Sequence, residues 1–250
     1  MFNGIREKII RRLSQLHTIL TINGSLKARL KGCYFEMYEM LYFFRIINVE
    51  FKTIIDIGAN RGMFTKTANY LFPEAKIIAF EPLKSCFEQL TMLQKLIPGL
   101  ECYNIALSNS EGEEEIFHSA WDYSSSLLEM DLLHKNAFPE SADYLKEKVK
   151  IATMDDVINI KKYKTPILMK IDVQGYEGYV IEGAKKTLES IDYLICEMSF
   201  QSLYKNQILF DNQFNLIIKN GFEFLGPIST NKHPKTKLPL QIDGLFKRIS

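Results

Sequence analysis

The sequence predicts an α/β protein with a Rossmann-like, seven-stranded, mostly parallel sheet and an N-terminal helical cap. From residue 51 onward, short apolar runs alternate with amphipathic helical stretches, the pattern of strands joined by crossover helices. Those runs lack period-two alternation, as strands covered on both faces do. The first run also ends in small residues, Gly58 and Ala59, where open α/β sheets bind their ligands. The expected division is a cap over residues 1–50 and the sheet domain over 51–250. Residues 107–147 form an insertion within that domain, a candidate substrate lid.

Element by element, Phe2 to Leu20 places Ile5, Ile9, Leu13, Leu16 and Leu20 at helical spacing, with Arg6, Lys8, Arg11 and Arg12 on much of the remainder. Asn23-Gly24 breaks that pattern, and a second, aromatic helix is predicted over 33–47. Strands follow at Thr53–Ile57, Lys76–Phe80 and Glu101–Ala106, with helices at Met63–Leu71 and Lys84–Leu96 between them. In the insertion, Glu113–His118 reads as an exposed strand and Ser124-Ser125-Ser126 opens a polar stretch. Val149–Ala152 reads as a short strand, and Thr153-Met154-Asp155-Asp156 as a helix cap. Pro166–Val173 and Tyr193–Glu197 resume the parallel pattern around a helix at Glu177–Leu188. A helix over Leu203–Asn220 closes at Gly221. Phe222–Leu225 and Leu240–Arg248 complete the sheet around a hairpin loop at Ser229–Lys237.

A chain of 250 residues with 46% hydrophobic and 24% charged residues suits one such domain with an ordinary core. The net charge of +1 gives no sign of polyanion binding, so a nucleic-acid partner is not expected. Cys33, Cys86, Cys102 and Cys196 form no CxxC pair and have no histidine at zinc-ligand spacing. They read as reduced thiols, which makes the cytoplasm the expected compartment. No run approaches the roughly 18 apolar residues of a membrane span, and no signal-peptide core is present. The basic first helix reads as a packed cap, with weak peripheral contact to an anionic membrane as the alternative. The aromatic second helix is a candidate homodimer interface.

Three constellations carry chemistry. In Asp56-Ile57-Gly58-Ala59-Asn60-Arg61-Gly62, the small residues let a ligand approach the backbone, and Asp56 is positioned to brace the loop or meet an ammonium group. Glu81, in Phe80-Glu81-Pro82, follows Gly58 by a little over the roughly 20 residues that separate a glycine turn from a ribose-binding acid. NAD and S-adenosylmethionine both carry such a ribose. Asn60 stands where a dinucleotide fingerprint has its second glycine, and Met63 and Phe64 start the helix, which favours a ligand without a pyrophosphate. Finally, Lys170, Asp172 and Gln174 share a strand face by period two. Charges at the end of an apolar strand are costly unless paired or used, and either an ion pair or a catalytic pair satisfies that.

Taken in order, Asp56-Ile57-Gly58-Ala59-Asn60, Ala79-Phe80-Glu81-Pro82, Asn104-Ile105-Ala106-Leu107 and Lys170-Ile171-Asp172-Val173-Gln174-Gly175-Tyr176-Glu177 resemble the FkbM family of methyltransferases, as does the late Gln241-Ile242-Asp243-Gly244-Leu245-Phe246. The resemblance covers roughly residues 51 to 248, departs at Gln174, where that family commonly has glutamate, and leaves the N-terminal helices outside. It implies a class I methyltransferase fold and S-adenosylmethionine as cofactor. Asp56, Gly58, Ala59 and Asn60 would hold its methionine part, Glu81 and Pro82 its ribose side, and Asn104, Ile105 and Ala106 its adenine. Lys170 and Asp172 would stand near the transferred methyl group.

The expected reaction is O-methylation of a hydroxyl on a sugar, glycan or small metabolite. Asp172 is the expected general base, with Lys170 tuning it and Glu197 as a second candidate. His118 and His134 lie in the insertion and could swing in. Asp172, Glu177 and Glu197 could converge, but the sequence holds no tight ligand motif and no metal is expected. The alternatives are an NAD-linked oxidoreductase, a non-catalytic nucleotide-binding protein of the same fold, or a nucleic-acid methyltransferase. The last would use the local basic patch of Arg6, Lys8, Arg11, Arg12, Lys27, Arg29 and Lys31.

Overall fold

Every residue of the run Thr53–Ile57 is buried, as its unbroken apolar pattern requires of a central strand. The computed structural model describes residue 13 and residues 16–119, 124–141 and 143–249. The first predicted helix therefore lies largely outside the described residues. In chain order the helices are α1 (Ser25–Leu30), α2 (Phe35–Ile46), α3 (Met63–Leu71), α4 (Lys84–Gln94), α5 (Leu132–Ala137), α6 (Met154–Val157), α7 (Glu177–Glu182), α8 (Lys185–Leu188) and α9 (Phe210–Lys219). The strands are β1 (Thr53–Ile57), β2 (Lys76–Phe80), β3 (Glu101–Tyr103), β4 (Ala106–Leu107), β5 (Gly112–Ser119), β6 (Tyr144–Ala152), β7 (Ile167–Ile171), β8 (Tyr193–Ser199), β9 (Phe222–Lys232) and β10 (Pro239–Arg248).

The predicted seven-stranded sheet is present, in the order β3-β2-β1-β7-β8-β10-β9. β1 pairs in parallel with β2 and β7, β2 with β3, and β7 with β8. β10 alone runs antiparallel, between β8 and β9. The order reverses between β1 and β2 on one side and β7 on the other, so the carboxyl ends of these strands frame a crevice. Side chains alternate between two cores. Ile55, Ile78, Met169 and Leu194 pack with Val180, Ile181 and Ile217 from α7 and α9. Ile54, Ile77, Leu168 and Ile195 pack with Leu41, Phe44, Phe64 and Ala68 from α2 and α3. Each fully buried side chain of this size contributes about 1.5–3 kcal/mol.

Most of the aromatic face of α2 is used inside this protomer. The Phe44 ring lies 4.8 Å from Phe51 and 5.3 Å from Tyr193, leaving Phe43, Ile46 and Ile47 exposed. No helix among the described residues is long and apolar enough to cross a membrane.

Several elements differ from the sequence pattern. The strand expected over 101–106 splits: Asn104 turns away to donate to the carbonyls of Glu81 and Pro82, and Ala106–Leu107 joins a separate three-stranded sheet ordered β4-β6-β5. The helix expected over 177–188 breaks at Gly183, against which the Ser108 backbone packs so closely that a Cβ would lie 1.9 Å from its carbonyl oxygen. Asp155 then caps α8 from outside by accepting from the backbone of Lys186 and Thr187. The helix expected from Leu203 begins only at Phe210. Leu203 and Tyr204 are instead drawn into a core with Met130 and Leu240, and the Gln207 side chain accepts from the Leu203 backbone. β9 extends to Lys232, which shortens the hairpin loop.

Candidate active site

β1 hands over to its loop through Gly58, whose φ of +79° suits glycine. The Gly58 and Ala59 amides both donate to the Phe80 carbonyl, and the Asp172 amide donates to Ile57. These bonds tie the ends of β1, β2 and β7 together. Above them opens a cavity of about 700 Å³, within the size range of small-molecule sites.

Gly58, Asn60, Glu81, Pro82, Ile105 and Ala106 line it, together with Asp172 and Glu197. Glu81 is only 4% exposed. Its Oε2 accepts from the Asn60 amide at 2.8 Å and its Oε1 from the Leu83 amide at 2.9 Å, which fixes the carboxylate at the cavity wall.

The other expected site residues stand behind this wall. Asn104 braces the carbonyls of Glu81 and Pro82, and Ala59 is buried. Asp56 is fully buried and accepts from Thr65 Oγ1 at 2.6 Å. Of the two roles expected of Asp56, this contact matches bracing: Asp56 holds α3 through Thr65 and does not line the cavity. Burial raises its carboxyl above the usual range, opposed by Lys170 and Thr65.

Lys170 is 4% exposed, with its ammonium 2.9 Å from Asp172 Oδ2 and 5.4 Å from the centre of the Phe64 ring. Burial lowers its pKa, but the charges of Asp172 and Asp56 outweigh that and raise it. The opposite balance holds at Asp172: burial pushes it up, while Lys170 and the Gln174 amide hold it below the ordinary range. Glu197 is raised well above that range by burial, then by Asp172. Its Oε2 accepts from the side-chain amides of Gln241 at 2.7 Å and Gln174 at 3.2 Å. Asp172, Glu177 and Glu197 bring oxygens within 4.8 Å of one another. Glu177, however, accepts from the Val173 and Gly175 amides, so N–H donors already serve each of the three.

Glu177 is buried and pushed up to about 7 by burial, with the Asp172 charge adding to it against the backbone N–H groups. An acid that binds its proton more tightly in the folded chain stabilises the fold below its ordinary 4.5, and that contribution is lost as pH rises through about 7. Melting temperature is therefore expected to fall between pH 4.5 and 7, and Glu177→Gln should flatten the slope. An unchanged slope in thermal scans of the variant would assign it to another group.

The two insertion histidines separate. His134, on α5, is buried, lines the cavity and packs edge-on against Tyr204 at 5.0 Å. His118, on β5, pairs with Glu147. Ser229, Thr230 and Asn231 from β9, expected in a hairpin loop, complete the wall with Gln241 and Asp243 from β10, which the sequence singles out only through the family resemblance. Asp243 sits directly opposite Glu197 in the β8–β10 register. Burial and Asp172 raise its carboxyl, and it accepts from Ser229.

Residues 56–224 match the sequence model of a family described as the methyltransferase FkbM domain, a match that stops short of β10. The chain is 28% identical over 170 residues to the 2-O-methyltransferase NoeI of Sinorhizobium fredii, covering 62% of this chain and 66% of that protein. It is 25% identical over 144 residues to the hexuronic acid methyltransferase AglP of Haloferax volcanii, covering 57% and 54%. The chain thus spans just under two thirds of the first relative and about half of the second. Among solved structures, the magnesium protoporphyrin IX methyltransferase ChlM from Synechocystis PCC 6803 aligns over 92% of this chain and 85% of its own at 10% identity, with a TM-score of 0.46.

Proposed function

The chain belongs to the FkbM methyltransferase family, and from that premise we propose that it transfers a methyl group from S-adenosylmethionine to a hydroxyl of a sugar or other small molecule. One observation carries the reading: Glu81 and Asp172, from the ends of β2 and β7, face a single cavity whose floor is Gly58. The donor set suits the cofactor. Glu81 can accept from the ribose hydroxyls, Ile105 and Ala106 offer an apolar berth for adenine, and the loop at Gly58 and Asn60, which lines the cavity, would meet the methionine part. When bound, the cofactor supplies an electrophilic methyl on a positively charged sulfur.

With that cofactor held by Gly58, Asn60 and Glu81, the departing thioether would be neutral, so the residues of this chain would need to supply no acid. The protein must align the hydroxyl, exclude water and receive its proton. Asp172 is the proposed base, kept ionised by Lys170, with Glu197 beside it as the second proton-holding group. Ser229, Thr230, Asn231 and Gln241 offer the donors and acceptors that a hydroxyl-rich acceptor requires. The segment from Ser124 to Ser141, which lines the cavity at Ser124, His134, Phe138 and Ser141, is the proposed lid. The name of the 2-O-methyltransferase relative supports transfer to oxygen, that of the hexuronic acid methyltransferase supports a sugar acceptor, and the near-neutral net charge argues against a nucleic acid.

Calorimetry with S-adenosylhomocysteine tests the reading. Binding is expected in the wild type, with no comparable uptake of NADH. Glu81→Gln should weaken binding by about 10- to 100-fold, the value of hydrogen bonds to a charged group. Absence of homocysteine-nucleoside binding in the wild type would sink the proposal.

A further inference from the structure

Gln174 adopts a φ of +57°, a backbone conformation that costs a non-glycine residue free energy. Its side chain is held at both ends. Nε2 lies 2.9 Å from Asp172 Oδ1 and 3.2 Å from Glu197 Oε2, while Oε1 accepts from the Tyr204 hydroxyl at 2.9 Å. Tyr204 is fully buried. It reaches this position because residue 175 is glycine: a Cβ there would lie 2.8 Å from the tyrosine ring. The same residues meet the cavity edge. Ser126 Oγ donates to the Gln174 carbonyl at 2.7 Å, and the Tyr204 hydroxyl stands 3.3 Å from the Ser124 carbonyl.

An amide is asymmetric. Its NH2 end can serve two carboxyl groups at once, whereas its oxygen would add a further acceptor to an already acidic cluster. Nothing in the two carboxyls alone fixes the amide through a ligand's arrival and departure, but a hydroxyl donating to Oε1 does. We propose that Tyr204 is a positioning residue that locks the Gln174 amide with its NH2 between Asp172 and Glu197, keeping Asp172 a carboxylate beside a second acid and tying that setting to the Ser124–Ser126 segment. The proposal rests on the reading of this cavity as the methyl-transfer site.

The charged groups acting on Asp172 or acted on by it are Lys170 from β7, Asp56 from β1, Glu177 from α7, Glu197 from β8 and Asp243 from β10. Lys170 is the one cation of this set, and Gln174 is the neutral donor that joins it in favouring the ionised form.

The test is a 13C NMR titration of the side-chain carboxyls in the wild type, Tyr204→Phe and Gln174→Met, with Asp172→Asn and Glu197→Gln spectra assigning the resonances. The Asp172 midpoint should rise by about one pH unit in both Tyr204→Phe and Gln174→Met, the expected effect of losing one N–H donor to a charged acceptor. A rise in Gln174→Met alone would overturn the role of Tyr204. Unmoved midpoints with lowered melting temperatures would overturn the proposal in favour of plain packing. The titration needs no ligand, so it stands apart from the calorimetry above, whose failure would defeat the reading of the cavity but not the hydrogen-bonded pair.

Discussion

Gly58→Ala is expected to abolish detectable S-adenosylhomocysteine binding and to lower the melting temperature by roughly 5–12 °C, from a loss of about 3 kcal/mol in a domain of this size. Two costs combine. The φ of +79° places an alanine in the left-handed region, at roughly 1–2 kcal/mol. The new Cβ would also lie 1.9 Å from the Asp172 carbonyl oxygen and 3.3 Å from Val173 Cγ1. That carbonyl is backbone, held in place by the bond from the Asp172 amide to Ile57. The ends of β1 and β7 must therefore separate, which displaces Asp172 as well as the loop. Thermal scans and calorimetry check this. A variant melting within 2 °C of wild type, and binding as tightly, would mean that the contact relaxes at little cost.

Asp172→Asn is the second large effect. Turnover, measured with an acceptor found by screening sugars and small metabolites, is expected to fall by about 10²–10⁴-fold, the usual worth of a positioned proton acceptor. Affinity for S-adenosylhomocysteine should stay within about threefold, because Glu81 and the Gly58 loop are untouched and a threefold change is under 1 kcal/mol. The substitution is nearly isosteric. Its Oδ1 can still accept from Gln174 or Lys170, so a fall in turnover would reflect lost basicity or orientation of the hydroxyl rather than lost packing. Unchanged turnover would remove Asp172 from the chemistry and leave Glu197, with its raised pKa, as the group to test next.

The parts of this site that rest on local pattern are legible in the amino-acid sequence. β1, β2 and β7 announce themselves as unbroken apolar runs. Gly58 follows the first of these, Glu81 ends the second, and Lys170 and Asp172 are charges that an apolar strand has no reason to carry. What stays hidden is set by distant pairing. Tyr204 meets Gln174 across 30 positions of chain, and the helical pattern around it yields to an isolated bridge with Met130. Asp56 reads either as a brace or as a ligand contact, and local pattern cannot choose, because its partner Thr65 lies on the next helix. Gln241 and Asp243 do leave a signal. Two polar residues at period-two spacing, set among the apolar Leu240, Ile242, Leu245 and Phe246, mark a face that meets something other than core. The switch of Ala106 to a second sheet leaves none, since a two-residue strand carries too little pattern to reveal its partner.

The antiparallel placement of β10 has a consequence for the birth of the protein. On the ribosome, β9 emerges before β10, the strand it pairs with among the described residues, and the flank of β8 stays open until Pro239 to Arg248 have been synthesised. An unpaired strand edge on a nascent chain invites the wrong neighbour. The side of the cavity formed by Gln241 and Asp243 therefore cannot exist until the residues of β10 have been added. A pause or truncation just upstream would release a polypeptide that carries Gly58, Glu81 and Asp172 but has no finished vessel in which to use them.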